Sequence, residues 1–562
     1  MQQIRPTSQV MLSISCNNLI SLDRIGQSDP MAVLYSLDPQ THNETEIGRT
    51  ESYKNEKNPK FTKTFTIDYS FEKTQLFKVK IYDIDSKSDN LKKQDYIGQI
   101  FFNLGELLGS PGMFITKSLE HPQKTARRNG TCTITAEEVQ QSNIIVHMRI
   151  SGIKLDKKDL FGKSDPYLVF YRQQVDGNSW IKSHETEVIK NTLNPKWKTF
   201  SIPANNLCGT DVNRPIRIEC YDWNRSGKPD LIGIVETSVA ALEKLNPKTL
   251  ELKDPSKLNK KKYTNSGTIR FDDFRIEKNP SFLDFIYGGC QISLVVAVDF
   301  TASNGNYSQQ DSLHFHNPYH VNDYQKAIST CGAILANYDT NGQFPAFGFG
   351  AKVGGAVSHC FPLNGNPQNP MVYGVQGILQ AYHNVFTWPG FTLWGPTNFA
   401  PIINSVAAIA RQYTQIPNMQ KYFVLLFLTD GEITDFEETK RAIVNAADLP
   451  ISIVIVGVGT GEFAQMEVLD GDEKRISFQG REAVRDIVQF VPFRKFLNRD
   501  IAALAQETLA EIPTQLLSYF KSKNIQPNPG YSPQQRQQMI VQQQQQVVQQ
   551  QEKQEGNQNQ QK

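Results

Sequence analysis

Carboxylates recur in this chain at almost the same spacing. LDRIGQSDP occupies residues 22–30 and KDLFGKSDP occupies 158–166. Asp23 and Asp29 in the first answer Asp159 and Asp165 in the second, both 136 positions on (159 − 23 and 165 − 29). The pairs Asn58-Pro59 and Asn194-Pro195 keep that offset, YDID at 82–85 answers YDWN at 221–224, and QDYIG at 94–98 answers PDLIG at 229–233. Landmarks held in register over such a distance mark a duplicated domain. Asp83 and Asp85 stand two apart at a strand end, so their side chains leave on one side. Asp23 and Asp29, six apart across a short loop, can turn back to face each other. Carboxylates gathered in this way repel one another unless a divalent cation sits among them. All-oxygen donors on flexible loops favour calcium over zinc or a tightly octahedral magnesium site.

A second constellation lies further along. The apolar run SLVVAVDF at 293–300 leads into DFTASNG, setting Asp299, Thr301 and Ser303 at i, i+2 and i+4. Open α/β sheets bind ligands at the carboxyl ends of their strands. GPTNFAP supplies Thr397, and LTDG, closing another apolar run, supplies Asp430. One or two carboxylates with hydroxyls suit magnesium, which keeps waters and leaves a position for an outside ligand.

The elements that must carry these residues differ along the chain. Val10, Leu12 and Ile14 alternate with Met11, Ser13 and Ser15, Met11 blurring the contrast; Phe77, Val79 and Ile81 alternate with Lys78 and Lys80, and Ile216, Ile218 and Cys220 repeat the pattern in the second copy. Such alternation predicts half-buried strands, and two turn-rich units of this kind predict two all-β sandwiches. After KLNKKKYT at 257–264, expected to be a basic linker, continuous apolar runs at 293–300, 422–431 and 451–459 alternate with helical patterns at 435–450 and 498–517. That alternation predicts a doubly wound α/β domain with a mostly parallel sheet. The expected boundaries are 1–135, 136–275 and 276–523, leaving 524–562 as a glutamine-rich tail. The tail has too little apolar surface to offset ordering entropy and is expected to be disordered, a short coiled coil through Ile540 and Val547 being the alternative.

Composition narrows the function further. With 59 basic against 57 acidic residues among 562, no strongly basic surface covers the protein, so nucleic-acid binding is not expected. Seven cysteines without a C-x-x-C pair fit reduced thiols. The first residues, MQQIRPTSQ, hold no apolar signal core, Gln2 excludes N-myristoylation, and no apolar run is long enough to span a bilayer. The expectation is a cytoplasmic protein with peripheral membrane contact. Catalysis is not expected: GVGTGEF at 457–463 has Glu462 where a dinucleotide loop needs Gly, HETEV at 184–188 has Val188 where a zinc protease needs His, and no phosphate-binding or nucleophile-elbow motif occurs.

The acidic loops resemble those of C2 domains, in which two loops at one end of a β-sandwich hold calcium. By that resemblance the first copy uses Asp23, Asp29, Asp83, Asp85 and Asp95, with Asp89 competing for the last position. The second uses Asp159, Asp165, Asp222, Asn224 and Asp230. Asn224 stands where the pattern has Asp, so the second copy is expected to bind calcium more weakly. Ile25, Leu160 and Phe161 at the loop tips are the candidates for membrane insertion, Trp223 a further one. Asp299, Thr301, Ser303, Thr397 and Asp430 resemble the metal-ion-dependent adhesion site of von Willebrand factor A domains, which implies magnesium or manganese and an acidic protein partner. Two C2 domains followed by an A domain resemble the copines, as do FPAFGFGAK, FPLNGN, WGPTNFAP, QGILQAYH and RDIVQFVPF. The resemblance implies calcium-dependent phospholipid binding and movement from cytosol to plasma membrane or endomembranes on a calcium rise, in membrane trafficking or calcium signalling. A calcium-independent protein-binding scaffold is the alternative.

Overall fold

The computed structural model describes residues 8–22, 26–86, 88–122, 129–139, 144–159, 162–173, 180–208, 212–225, 228–317, 319–471, 475–497 and 502–560. The chain forms two compact units. Met1–Val139 together with Phe282–Lys562 makes one, and Gln140–Ser281 makes the other.

Alternating sequence becomes sandwich geometry in both copies. In the first, one antiparallel sheet runs Phe65–Tyr69, Ser8–Asn17, Thr131–Val139, Phe114–Ser118. Its partner runs Glu44–Arg49, Pro30–Leu37, Leu76–Asp83, Asp95–Asn103. Val10, Leu12 and Ile14 point inward with Val79 and Ile81, and all are buried. The second copy repeats this order strand for strand: Phe200–Pro203, Ile144–Ile153, Thr268–Lys278, Thr249–Glu251 in one sheet, and Trp180–Glu185, Pro166–Gln173, Ile216–Asp222, Asp230–Thr237 in the other. The final strands close each sandwich a few residues past the expected boundaries at 135 and 275, because Thr131–Val139 pairs along Gln9–Asn17, and Thr268–Lys278 along Ile144–Ile153. The basic stretch 257–264 is not a linker between domains: it connects Thr249–Glu251 to Thr268–Lys278, which pair in one sheet of the second sandwich.

The α/β domain is a sheet of parallel strands in the order Gln343–Phe349, Gln291–Asp299, Lys421–Thr429, Ile451–Gly457, Val488–Pro492, with short antiparallel additions at the first edge. Its apolar runs are continuous because helices cover both faces. Its core is continuous with that of the first sandwich. The sandwich helix Leu104–Gly109 buries Leu104, Leu107 and Leu108, Phe71 packs on Phe282 and Tyr338 with ring centroids 5.1 and 5.0 Å away, and the Tyr69 and Tyr338 hydroxyls share a hydrogen bond.

The tail corrects the expectation of disorder. Pro533–Gln560 is a helix lying on the strands Phe114–Ser118 and Thr131–Val139 of the first sandwich. Glutamine is a good helix former, and polar contacts do what apolar area does not. Arg536 donates to the carbonyls of Met113 and Ala136 at 3.1 and 2.8 Å and pairs with Glu137 at 3.0 Å. All seven cysteines are free, and six are buried. Among the described residues no helix is long and apolar enough to cross a membrane.

Candidate cation-binding sites

At one end of each sandwich, three segments bring carboxylates together through the same hydrogen bonds. In the first copy the backbone N–H of Asp29 donates to Asp83 Oδ1 at 2.6 Å. In the second the N–H of Asp165 donates to Asp222 Oδ1, also at 2.6 Å. Asp83 and Asp222 are 1 % and 0 % exposed, so neither is a solvated surface acid. Across the sheet Asp83 stands opposite Asp95, and Asp222 opposite Asp230. This shared register pairs Asp95, not Asp89, with Asp230; Asp89 lies out in the loop, its carbonyl accepting from Arg49 at 2.7 Å. The SDP serines are structural. Ser28 and Ser164 are buried, and each accepts from a loop amide (Leu22 or Lys158) and donates back to a carbonyl (Ile20 or Asp156).

Burial and the neighbouring Asp159 and Asp165 charges push the Asp222 carboxyl up, against the Asp165 amide and Ser164, which favour its ionised form. Its Oδ2 is buried with no hydrogen-bond partner among the described residues. A buried anion short of donors is what a hard cation relieves, so this donor set fits calcium. Among the described residues no cluster of three or more Asp, Glu, His or Cys side chains is closed tightly enough to hold an ion as it stands. Asp23, Ile25, Leu160 and Phe161 lie outside the described residues.

The two ends differ in their cations. Lys190 Nζ pairs with Asp165 Oδ2 at 2.9 Å and sits 3.4 Å from the centroid of the Trp223 ring. Burial alone would raise the Asp165 carboxyl, but Lys190 and the Asn191 amide together hold it below its ordinary value. Trp223, a candidate for insertion, is thus capped by an ammonium group. Asn224 turns its amide toward Asp230 Oδ2 at 3.0 Å and the Lys228 carbonyl at 2.9 Å. In the first copy Gln94, buried, organises the longer loop by accepting from the amides of Asp85 and Ser86 and donating to the carbonyls of Ser86 and Ser88.

In the α/β domain, Asp299 and Asp430 follow neighbouring parallel strands at their carboxyl ends. Asp299 Oδ1 accepts from the Thr301 amide at 2.8 Å and its hydroxyl at 2.6 Å, and Oδ2 accepts from Thr429 at 2.6 Å. Ser303 bonds Thr301 at 2.9 Å and donates to Asp430 at 3.0 Å. Burial, then the charge of Asp299, pushes the Asp430 carboxyl up to about 7. Two buried acids with hydroxyls between them fit magnesium or manganese. Thr397, buried, joins this edge through its backbone: Thr434 donates to its carbonyl at 2.8 Å, and Asp435 caps the following helix at Phe399 and Ala400. The Thr397 hydroxyl is not hydrogen-bonded to the other four side chains.

Sequence reading missed several residues. Asn55 and Asn191 adopt left-handed φ of 56° and 53°, which asparagine tolerates. Their backbone N–H groups donate to Asp29 Oδ1 at 2.8 Å and Asp165 Oδ1 at 2.7 Å. The signal was available, since Lys54-Asn55 and Lys190-Asn191 share the offset of 136 (190 − 54). Thr429 directly precedes Asp430 and was equally within reach. His314 was not: burial pushes it down to about 3, so it stays neutral, and it crosses the fold with Nε2–H donating to the Asp299 carbonyl and Nδ1 accepting from the Tyr382 hydroxyl, both at 2.8 Å.

Comparisons with known proteins cover nearly the whole chain. The family model described as Copine matches residues 312–528, and the C2 domain model matches 10–119 and 144–253. Copine-A of Dictyostelium discoideum is 41 % identical over 527 residues, covering 93 % of this chain and 86 % of that protein. Among solved structures, BON1-C2B is 33 % identical, covering 24 % of this chain and 93 % of its own, with a TM-score of 0.21. The calcium-bound tandem C2 domains of Extended-Synaptotagmin 2 are 15 % identical, covering 49 % and 99 %, with a TM-score of 0.21.

Proposed function

Because the chain belongs to the copine family, we propose that it binds anionic phospholipid membranes in a calcium-dependent manner through its two C2 domains, and recruits acidic protein partners through the metal site of its A domain. Asp29, Asp83, Asp85 and Asp95, with Asp23, would hold calcium in the first copy. Asp159, Asp165, Asp222, Asn224 and Asp230 would do so in the second. Empty, such loop ends repel anionic headgroups. Bound calcium supplies positive charge and open positions for lipid phosphate or carboxylate oxygens. Two linked modules then bind with avidity, which steepens the response. In the A domain Asp299, Thr301, Ser303, Thr397 and Asp430 would hold magnesium or manganese, leaving a position for a partner's carboxylate. The protein is then cytoplasmic at rest and moves to the plasma membrane or endomembranes on a calcium rise, serving membrane trafficking or calcium signalling.

The observation that carries this reading is the repeated amide-to-carboxylate bond that aims Asp29 at Asp83 and Asp165 at Asp222. The test is sedimentation with phosphatidylserine vesicles in calcium and in chelator. The wild-type chain pellets with vesicles in calcium alone, and Asp29→Asn with Asp165→Asn abolishes pelleting while the fold is kept. Equal pelleting in calcium and chelator removes the reading. The scaffold alternative is favoured in one place, the second copy, where Lys190 already supplies a positive charge to Asp165.

A further inference from the structure

The outer face of the first sandwich carries threonines that a sheet alone would leave wet. Cys132, Ile134 and Ala136 point into the core, so Thr131 and Thr133 point out; yet both are buried, at 2 % and 1 % exposure. The glutamine-rich helix lies on this face at Thr133. Gln544 donates to the Thr133 hydroxyl at 3.2 Å and accepts from Asn17 at 3.1 Å. Half-buried Arg536, Ile540, Gln544 and Val547 recur at helical spacing on the inward side, while Gln538, Gln542 and Gln545 are exposed.

The direction of this helix matters. Arg536 sits at Ala136 and Met113, whereas Gln544 sits at Thr133 and Asn17. Asn17 is opposite Thr131 in the sheet and is the last residue before the loop leading to Asp29. The helix therefore runs toward the carboxylate end of the sandwich. From Gln544 to Gln560 it continues for about 24 Å at 1.5 Å per residue. The loop 18–29 goes out and returns, so even fully stretched it reaches no more than about 20 Å beyond Asn17. Past Gln544 the helix is therefore at least as long as the loop 18–29 can reach beyond Asn17.

We propose that this helix is an intramolecular strap that keeps the carboxylate end of the first C2 domain off a flat phospholipid surface, so that membrane docking requires the helix to leave the Thr131–Thr133 face. The inference rests on the membrane-binding reading above. A contact that must be broken on docking raises the calcium needed, and weakening it lowers that requirement.

The experiment uses the full chain, phosphatidylserine vesicles and a calcium titration read by sedimentation. Arg536→Ala with Gln544→Ala removes the polar anchors, and Gln542→Pro breaks the helix on its exposed side; neither change touches a candidate calcium ligand. Half-maximal binding is expected at about tenfold lower calcium in both variants, the shift given by losing about 1.4 kcal/mol of competing contact. Vesicle binding at unchanged or higher calcium in both variants overturns the strap and leaves the membrane reading intact. If neither wild type nor variants pellet in calcium, the membrane reading fails and the strap with it.

Discussion

The two C2 copies share strand order, the SDP clasp and the amide bond that aims one aspartate at another, yet their carboxylate ends are differently set. In the first, Lys54 makes no ion pair with Asp29 among the described residues. In the second its counterpart Lys190 pairs with Asp165, and Asn224 replaces an aspartate. The surroundings differ as well. The first copy shares its core with the A domain through Leu104–Gly109 and carries the tail helix, whereas the second is a compact unit with its own core. Duplication thus conserved the frame and let the charge inside it diverge. The first copy is the stronger candidate for the calcium sensor, and the second for a module partly self-neutralised at rest.

The sharpest way to break this comparison is to remove the buried acid in each copy in turn. Asp83→Asn and Asp222→Asn keep an oxygen to accept the Asp29 or Asp165 amide, so the fold is retained. Calcium-dependent vesicle binding is expected to weaken more than about 100-fold for Asp83→Asn and nearer 10-fold for Asp222→Asn, because ligand charge sets affinity at such sites. Sedimentation across a calcium series measures both. Equal losses erase the asymmetry.

A stability test follows from the fused core. A Cβ on Gly109 would run into the carbonyl oxygen of Asn337, so Gly109→Ala is expected to cost about 2–4 kcal/mol in urea unfolding. Lys244→Ala, at the exposed end of the matching helix Val239–Lys244, is expected to change stability by less than about 0.5 kcal/mol. A large effect at Lys244 would contradict its place on the exposed surface of the second copy.

Much of this was legible in the chain. Repetition at 136 places fixed the duplication and its first acids, and the YDID and QDYIG words, repeated 139 and 135 places on, gave the rest, since side chains two apart at a strand end must share a side. Apolar runs ending in Asp299 and Asp430 gave the second site. The tail helix was not legible because apolar area alone does not measure it: Arg536 orders the helix through carbonyls and a carboxylate. The Lys190 pair was not visible from lysine positions, which match between copies. Its cause lies one residue past the conserved acid, where Trp223 stands in the second copy and Ile84 in the first. An indole face attracts an ammonium group; an isoleucine does not.

Restoring the missing charge is the next test. Asn224 donates to Asp230 Oδ2, so Asn224→Asp replaces an attraction with two facing carboxylates. In chelator the second copy is expected to lose about 1 kcal/mol of stability. In calcium its affinity is expected to rise roughly tenfold, because the site gains a ligand charge. Calorimetry on the full chain, reading the weaker of two binding steps, checks the gain. Weaker binding after the substitution would mean that Asn224 serves as a ligand better than a carboxylate does.

The smallest expected effect separates the ion pair from the missing charge. Trp223→Ile gives the second copy the residue of the first and takes away the ring beneath Lys190. The pair it supports is exposed on the lysine side, at 56 % of the side chain, so solvent limits its worth to about 0.2–1 kcal/mol. Calcium affinity of the second step is therefore expected to rise by at most about fivefold, the factor that the upper end of such an energy sets. Lys190→Met should give the same gain, and the two changes together no more than either alone, since both act by releasing Asp165. The reciprocal Ile84→Trp should draw Lys54 toward Asp29 and weaken the first step by a similar factor. If Trp223→Ile and Lys190→Met add, the ring acts on calcium binding by a route other than the lysine, and the contrast between the copies rests on Asn224 alone.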